Sequence, residues 1–396
     1  MSDVSTPTSI RGACPGVVDA MESADGWLMR IRLPGGIVSA EHLRLIGETG
    51  SRHGSGIVEI TSRANLQIRG IGSDQLADAA TEIVDAGLAL ADPVLDARRA
   101  VVASPLSGHD PTEAADVRPF LSAVLEALSG AEFVGALPPK FGIVIDGGGA
   151  VSVRDVPGDM VFTAQRVADR RVRWRLTVGS HRYRLRADLS PPMMAASVVE
   201  CAGRSAEACS RVHELSKSGR ALLDAESIEG MAAEPVGGSA VGQFDHLDPA
   251  QCNVVAAPAL GRIGAAELLS VVSAARLADG VRCTPSGGFA FVGVRRDRAV
   301  ELLHELELVG VSADRSDPVH SVSACVGSPG CASSRANTVA AAAGIVEARR
   351  QFAGPQQRIH LSGCEKLCGA PIGVGTLVAD AVGEFMRDQN RKGVQR

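Results

Sequence analysis

The stretch DGWLMRIRLPGGIVSAEHLRLIGETGSRHGSGIVEITSRANLQIRGI, residues 25–71, decides the fold. It reads as a strand, a glycine turn, an amphipathic helix, a second glycine turn and two further strands. Residues 253–294, NVVAAPALGRIGAAELLSVVSAARLADGVRCTPSGGFAFVGV, repeat this order, with Glu41 answering Glu267 and Thr61 answering Thr284. A repeat of this length indicates duplication of a β-α-β-β unit, although two unrelated units of similar composition are the alternative.

Each repeat is followed by a longer segment that mixes strands and helices. After the first repeat, AVVASPL, FGIVIDG and VRWRLTV predict strands, and PFLSAVLEALSG predicts a helix. After the second, VHSVSAC and RIHLSGC predict strands on either side of a helix in ANTVAAAAGIVEARRQF. We therefore predict an α+β fold in which duplicated ferredoxin-like half-domains combine with two mixed segments about a pseudo-two-fold axis.

The predicted boundaries follow the same order along the chain. They are a first ferredoxin-like half-repeat at 14–75, a first mixed segment at 98–238, a second half-repeat at 239–310 and a cysteine-bearing segment at 316–385. The small, polar stretch AESIEGMAAEPVGGSAVGQFDH, residues 225–246, predicts a linker between the halves.

Composition excludes several classes of function. The chain has 396 residues, of which 45% are hydrophobic and 21% charged, and its net charge of −5 argues against nucleic-acid binding. It has no apolar run of the roughly 18 residues that span a bilayer. The opening MSDVSTPTSIRG does not resemble a signal peptide, so we expect a cytoplasmic location and no membrane partner. Disulfides are rare there, so metal binding or burial must explain the nine cysteines.

Four of the cysteines form two closely spaced pairs in glycine-rich surroundings: Cys325, Cys331, Cys364 and Cys368. Such loops fold tightly and aim amide groups at an anion, which is what an iron–sulfur cluster requires. A zinc site usually has closer spacings, and four buried inert cysteines are the plainest alternative. The remaining five show no matching spacing and are interpreted as structural: Cys14, Cys201, Cys209, Cys252 and Cys283.

Several cations lie at predicted strand ends near turns. Arg30 and Arg32 alternate with apolar residues, which places both on one face of a strand. Individually, each cation is typical of a solvated strand edge, but together they suit a substrate with many carboxylates, which arginine binds bidentately. We therefore expect convergence on one basin of Arg30, Arg63, Arg69, Arg99 and Lys140.

The cysteine spacing resembles that of the sulfite and nitrite reductase superfamily, as do the segments RIRLPGG, TSRANLQIRG and LPPKFG. The resemblance implies a four-iron four-sulfur cluster on the four paired cysteines. In the reductases, the cysteine that corresponds to Cys368 bridges the cluster to sirohaem iron. The resemblance also implies that the two mixed segments bind the tetrapyrrole. Within the superfamily, the opening CPG and the phrases EITSRANLQIRG and HLSGCEKLCGAP look most like the precorrin-3B synthase family.

That resemblance implies a reaction. Molecular oxygen would oxidise precorrin-3A by C20 hydroxylation with closure of a γ-lactone, in cobalamin biosynthesis, with the substrate in the place of sirohaem and an electron donor that the sequence does not identify. The implied catalytic cations are Arg30, Arg99 and Lys140, and the implied substrate-binding residues are Arg32, Arg63, Asn65, Gln67 and Arg69. The family is also associated with a mononuclear non-haem iron, for which His53, His109, His320 and His360 are possible ligands.

Two other functions remain open. A sirohaem-dependent sulfite or nitrite reductase would share the fold, but LPPKFG carries Gly142 where the reductases have a second lysine. The loss of a cation argues against binding a small dianion. Ala100, where an asparagine often follows the arginine, leaves the role of Arg99 open. A non-catalytic protein with a structural zinc or cluster is the remaining possibility.

Overall fold

The computed structural model describes residues 15–130, 141–167, 171–179, 181–196, 198, 240–352, 354, 356–371, 374–380 and 382–387. Four residues named above lie outside this part of the chain: Cys14, Lys140, Cys201 and Cys209. Within the described part, no helix is both long enough and apolar enough to cross a membrane.

The first half of the chain contains a ferredoxin-like unit and a mixed segment. The unit consists of β1 (Met21–Ser23), β2 (Gly26–Ile31), β3 (Ile37–Val38), α1 (Ala40–His53), β4 (Ile57–Ile60), β5 (Leu66–Ile71) and α2 (Leu76–Asp85). The segment consists of α3 (Pro93–Ala97), β6 (Val101–Ala103), α4 (Arg118–Ser129), β7 (Ile143–Asp146), β8 (Met160–Arg166), β9 (Val172–Val178) and β10 (His181–Arg184).

The second half repeats this arrangement. Its ferredoxin-like unit consists of β11 (Gly242–Asp245), β12 (Gln251–Pro258), β13 (Arg262–Gly264), α5 (Ala265–Ala275), β14 (Gly280–Thr284), β15 (Gly288–Arg295), α6 (Ala299–Glu307) and β16 (Val311–Ser312). Its mixed segment consists of β17 (Val322–Ala324), α7 (Thr338–Arg350), β18 (Ile359–Ser362), β19 (Gly375–Ala379) and β20 (Phe385–Arg387).

The two ferredoxin-like units exchange strands. The first sheet has the order β1-β2-β5-β4-β13 and the second has the order β11-β12-β15-β14-β3. Strand β13 pairs antiparallel with β4, with Ile263 opposite Val58, and β3 pairs with β14, with Val38 opposite Val281. Each half therefore completes the sheet of the other, and the predicted duplication is confirmed.

Helices α1 and α5 pack against each other and close a core that both units share. Helix α1 begins where the Ser39 hydroxyl accepts a hydrogen bond from the amide of His42. Gly47 lets the helices approach, because a β-carbon there would lie 3.1 Å from the carbonyl oxygen of Ala265. Leu43 and Leu268, one from each helix, are fully buried in the same cluster.

The pseudo-two-fold repeat extends into the mixed segments. Strands β6, β7 and β8 are parallel and β9 is antiparallel; β17, β18 and β19 are likewise parallel and β20 is antiparallel. Helix α4 connects β6 to β7, and α7 connects β17 to β18. The two segments are thus the same supersecondary unit used twice.

The structure differs from the sequence-based prediction in the linker stretch and in the alignment of the helices α1 and α5. The stretch interpreted as a linker contains strand β11 near its end, and β11 pairs antiparallel with β12, with Phe244 opposite Asn253. The predicted correspondence of Glu41 with Glu267 is off by one position. Helix α1 begins after Ser39 and α5 after Gly264, so Glu41 is the second residue of α1 whereas Glu267 is the third residue of α5. The threonine correspondence holds: Thr61 accepts from the amide of Asn65 at 3.1 Å, and Thr284 from that of Gly288 at 3.2 Å.

Candidate functional site

The two cysteine pairs lie at the same edge of one sheet. Cys325 follows β17 directly, and Cys364 comes two residues after the end of β18. Because β17 and β18 are parallel neighbours, with Ala324 opposite Leu361, their carboxyl ends meet at one edge. The two cysteine pairs are far apart in sequence because the chain passes through α7 between β17 and β18.

Backbone hydrogen bonds fix the loop that carries Cys325. Its amide donates to the Leu361 carbonyl at 3.0 Å, and the amide of Gly363 donates to its sulfur at 3.2 Å. The amide of Arg335 donates to the Gly363 carbonyl at 2.8 Å, and the Thr338 hydroxyl donates to the Cys325 carbonyl at 2.6 Å. An amide directed at a cysteine sulfur is the kind of hydrogen bond that tunes iron–sulfur clusters.

The first mixed segment has the same hydrogen bonds without the sulfur. Ser104, directly after β6, donates its amide to Ile145 at 3.1 Å, and its hydroxyl accepts from the amide of Gly147 at 2.9 Å. The amide of Ala114 donates to the Gly147 carbonyl at 2.8 Å. Ser104 is therefore the pseudo-symmetric counterpart of Cys325. Both halves therefore contain the same loop, with a hydroxyl at Ser104 in the first and a thiol at Cys325 in the second.

All four cysteines line one cavity of about 1260 Å³. Burial raises the pKa of the Cys368 thiol, and the neighbouring Cys364, Cys325 and Cys331 raise it further, while Lys366 opposes them. Cys368 is the exposed member of the set, and the other three are half-buried. Leu367, beside it, has a φ of 50°, a left-handed conformation that costs a non-glycine residue energy and is typical of functional loops.

The donor set fits a four-iron cluster better than a single ion. Within the described residues, no group of three or more histidine, cysteine or acidic side chains is placed to hold one metal ion. Thiolates that each bind a different iron of a cluster lie farther apart than ligands that share an ion. Four convergent thiols, with an amide donating to one sulfur, match the first arrangement.

The floor of the cavity is one face of the first ferredoxin-like sheet. Polar residues on its adjacent strands form a ladder: the Arg30 Nε donates to Gln67 at 2.8 Å, and the Gln67 amide donates to Glu59 at 3.0 Å. Glu59 also lies 3.4 Å from the guanidinium of Arg262. Arg262 belongs to the exchanged strand β13, so both halves of the molecule build this floor.

The predicted basin forms only in part. Arg30, Gln67 and Arg69 line the cavity. Arg99 does not, so its predicted convergence with Arg30 is wrong: its guanidinium bonds Asp96 at 3.1 Å and the Leu88 carbonyl at 3.1 Å. Asp96 is 2% exposed, and a buried carboxylate requires cationic partners.

Arg32 is the other cation that Asp96 holds, at 2.8 Å. Strand β2 ends at Ile31, so the alternation that would keep Arg32 on the face of Arg30 stops one residue short. Asn65 is also buried away from the cavity wall, where its side chain accepts from the amide of Leu33 at 3.0 Å. These residues shape the loops around the site and do not line it.

Gly142 does not provide open space. A β-carbon there would lie 3.3 Å from Nη1 of Arg63, so the guanidinium of Arg63 occupies the position that a larger residue would need. The place beside Gly142, where the reductases carry a second lysine, is thus taken by the guanidinium of Arg63. Arg63 itself is absent from the cavity wall among the described residues.

The sequence interpretation missed most of the cations in the cavity. They come from the second half of the chain: Arg262, Arg315, Arg349, Arg350, Arg358 and Lys366. The acidic residues on the described wall are Glu59 and Asp317. The doublet Arg349-Arg350 at the end of α7 was the available sequence signal. The described wall is cationic overall, which suits a polyanionic ligand.

The candidate iron ligands are dispersed. His53 bonds Gln75 and Glu82 at 2.8 and 3.1 Å, and His109 bonds His246 at 3.0 Å. His320 and His360 line the cavity. Burial lowers the pKa of His320, whose Nε2 has no hydrogen-bond partner within the described structure. The described residues thus offer no ligand set for a mononuclear iron.

Comparison with known families agrees with this geometry. A family model described as the nitrite/sulfite reductase ferredoxin-like half domain matches residues 20–86. A second model, the nitrite and sulphite reductase 4Fe-4S domain, matches residues 95–203. Both models describe nitrite and sulfite reductases, and together they place the first half of this chain among proteins similar to that superfamily. These matches support a redox role with an iron–sulfur cluster, and the 4Fe-4S match falls on the half that contains Ser104.

Individual relatives extend the similarity over the whole chain. A precorrin-3B synthase from a Sinorhizobium species is 29% identical over 99% of this chain and 88% of its own length. A ferredoxin sulfite reductase of Mycolicibacterium paratuberculosis is 27% identical over 90% of this chain and 71% of its own. The solved structure of Mycobacterium tuberculosis NirA superposes with a TM-score of 0.69 at 21% identity, covering 91% of this chain and 73% of that one. The last match supports the fold alone.

Proposed function

We propose that the protein is a precorrin-3B synthase that oxidises precorrin-3A with molecular oxygen, by C20 hydroxylation and γ-lactone closure. The observation that carries the proposal is the position of four thiols on the wall of a large cationic cavity. The near full-length similarity to a precorrin-3B synthase supports the proposal over other functions of this fold.

The four cysteines would hold a four-iron four-sulfur cluster. Such a cluster, when bound, supplies single electrons. The protein contributes the geometry: Cys325 and Cys364 at one sheet edge, an amide on the Cys325 sulfur, and Cys368 as the ligand most open to the cavity.

The cavity suits a macrocycle with several carboxylates. Its volume exceeds the roughly 300–1,000 Å³ that is typical for small-molecule sites. Arg30 and Arg262 present cations from the floor, and Arg315 and Arg358 present them from the second half. Charge-assisted hydrogen bonds from these residues to the carboxylates would fix the orientation of the ring.

A sirohaem-dependent sulfite or nitrite reductase is the second candidate. The similarity to a sulfite reductase over 90% of the chain favours it. The two functions predict different occupants of one cavity: a sirohaem retained through purification, or a macrocycle that arrives as substrate and leaves as product.

Anaerobic purification followed by a turnover assay separates them. We expect acid-labile sulfide and iron in a cluster stoichiometry, no sirohaem band in the visible spectrum, and oxygen uptake only when precorrin-3A and a reductant are both present. Stoichiometric sirohaem together with sulfite or nitrite reduction would establish the second candidate. Zinc without sulfide would indicate a structural metal site.

A further inference from the structure

The loop that carries Cys331 is anchored from the opposite half of the molecule. The carbonyl oxygen of Gly330 accepts hydrogen bonds from Arg69 Nη2 at 2.8 Å and from the Ser23 hydroxyl at 2.7 Å. The same Arg69 nitrogen also donates to the Ser23 hydroxyl at 3.0 Å. Gly330 immediately precedes the thiol, so the first ferredoxin-like unit holds the cluster loop at its ligand.

Arg69 is built into this position. Its guanidinium pairs with Asp25 through two bonds of 2.9 Å, and its side chain is 5% exposed. The register of β5 against β2 shifts by one residue beside it, a bulge at which Gly70 takes a φ of 67°. Strand alternation places Arg69 on the cavity side with Gln67, and the bulge after it returns Ile71 to the core.

The contact at Gly330 is close. A β-carbon on Gly330 would lie 3.2 Å from Asp25 Oδ2 and 3.3 Å from Arg69 Nη2, so the loop backbone rests directly on the ion pair. Both hydrogen bonds end on the carbonyl of the Gly330–Cys331 peptide. Hydrogen bonds to a carbonyl polarise the rest of its peptide group, so the amide of Cys331 becomes a stronger donor.

We propose that Arg69, supported by Ser23 and Asp25, is a positioning residue for the iron–sulfur cluster: it fixes the Gly330–Cys331 peptide and thereby sets both the place of the Cys331 thiolate and the strength of the amide beside it. The inference rests on the proposed cluster at the four cysteines. It assigns Arg69 a role that is separate from substrate binding, although the residue also lines the cavity.

Two variants and a control test the proposal on the full-length protein as purified without oxygen. R69M removes the charged donor while keeping the side-chain length, and S23A removes only the hydroxyl bond. R262M is the matched control, because Arg262 is a cavity cation paired with Glu59 on the same floor. The readouts are hydrogen–deuterium exchange of peptides spanning residues 326–331 and the reduction potential of the cluster.

In R69M, we expect exchange of the loop amides to rise about tenfold to a hundredfold, as for the loss of a charged hydrogen bond. In S23A, we expect a rise of about twofold to tenfold. The potential should fall in both variants, more in R69M, because a positive charge and a strong amide donor both favour the reduced cluster. R262M should leave loop exchange at the parent rate.

If the parent protein holds iron and sulfide but R69M and S23A exchange at its rate, Arg69 does not position the loop and the proposal fails alone. If R69M does not fold, S23A decides the question by itself. A substrate-binding role without positioning would weaken tetrapyrrole affinity in R69M and leave exchange and potential unchanged. A parent protein without sulfide would instead overturn the proposed function.

Discussion

At the scale of single residues, the six cysteines in the described part of the chain divide into two environments. Cys252 and Cys283 are buried in the apolar core, and burial alone raises the pKa of Cys283, which keeps its thiol inert. The four paired cysteines face a polar cavity and one another. Sequence spacing distinguishes the same two groups, since paired thiols in glycine loops are poorly suited to a core.

The effect of substituting a cysteine on the iron and sulfide content should therefore depend on which of the two environments the cysteine occupies. Changing Cys325, Cys331 or Cys364 to serine should remove the brown absorbance and most of the iron and acid-labile sulfide, because a hydroxyl is a poor ligand for the cluster. C252A and C283A are the controls and should keep the parent iron content. Retained sulfide in all three serine variants would show that the cluster lies elsewhere.

The cavity cations make a second prediction at this scale. R30A and R358A should each weaken precorrin-3A binding by about 1.5–3 kcal/mol, roughly tenfold or more, because each would lose a charged hydrogen bond to a substrate carboxylate. Arg276 is an exposed cation at the end of α5, away from the cavity, and R276A is the control. Anaerobic titration of the variants measures the affinities. Equal losses in R30A and R276A would indicate a nonspecific charge effect.

At the scale of elements, two glycines with positive φ stand in turns before strands, one of them before the exchanged strand β3. Gly36 precedes β3 with a φ of 71°, and a β-carbon there would overlap the carbonyl oxygen of Cys283, a backbone atom on the partner strand β14. Gly56 has a nearly equal φ of 75° and nothing within 4 Å of the same position. An alanine at Gly56 would thus suffer backbone strain alone, whereas an alanine at Gly36 would suffer the same strain and a steric overlap.

G56A should cost about 1–2 kcal/mol of unfolding free energy, the strain of a left-handed alanine. G36A should cost more, about 2–5 kcal/mol, because overpacking against a backbone atom adds to the same strain. Chemical denaturation of both variants gives the comparison. Equal losses would mean that β3 yields easily and that the strand exchange contributes little to stability.

The elements also show how far the sequence determines the site. Periodicity and the repeat of residues 25–71 predicted the ferredoxin-like units, and spacing predicted the cysteine set, because both signals are local. The cavity cations were mostly missed, since Arg262 reaches the floor through a strand exchange and Arg315 and Arg358 from the second half. Arg99 and Arg32 were assigned to the cavity wrongly because sequence spacing does not show that Asp96 forms ion pairs with both of them.

At the scale of the whole molecule, the two halves share one hydrophobic core and exchange strands, so neither half contains a complete core or a complete sheet. The common core joins Leu43 and Ile46 of α1 to Leu268 and Val271 of α5, each 0% exposed. Exposing one such side chain costs about 1.5–3 kcal/mol, so separating the halves forfeits a sum comparable to the whole stability of a typical domain, about 5–15 kcal/mol. The first sheet would also lack β13 and the second would lack β3.

We therefore predict that residues 1–238 and 239–396, made separately, give no cooperative unfolding transition, whereas the two pieces made together assemble. The second piece carries all four cysteines but lacks Ser23, Asp25 and Arg69, so alone it should not retain iron and sulfide. Co-expressed pieces should recover both, because assembly restores the shared core and the anchor at Gly330. Thermal unfolding and iron–sulfide analysis of the three preparations decide the matter. A stable, iron-loaded second piece would mean that the cluster segment folds without the first half, and that the duplicated molecule is two modules joined and not one cooperative unit.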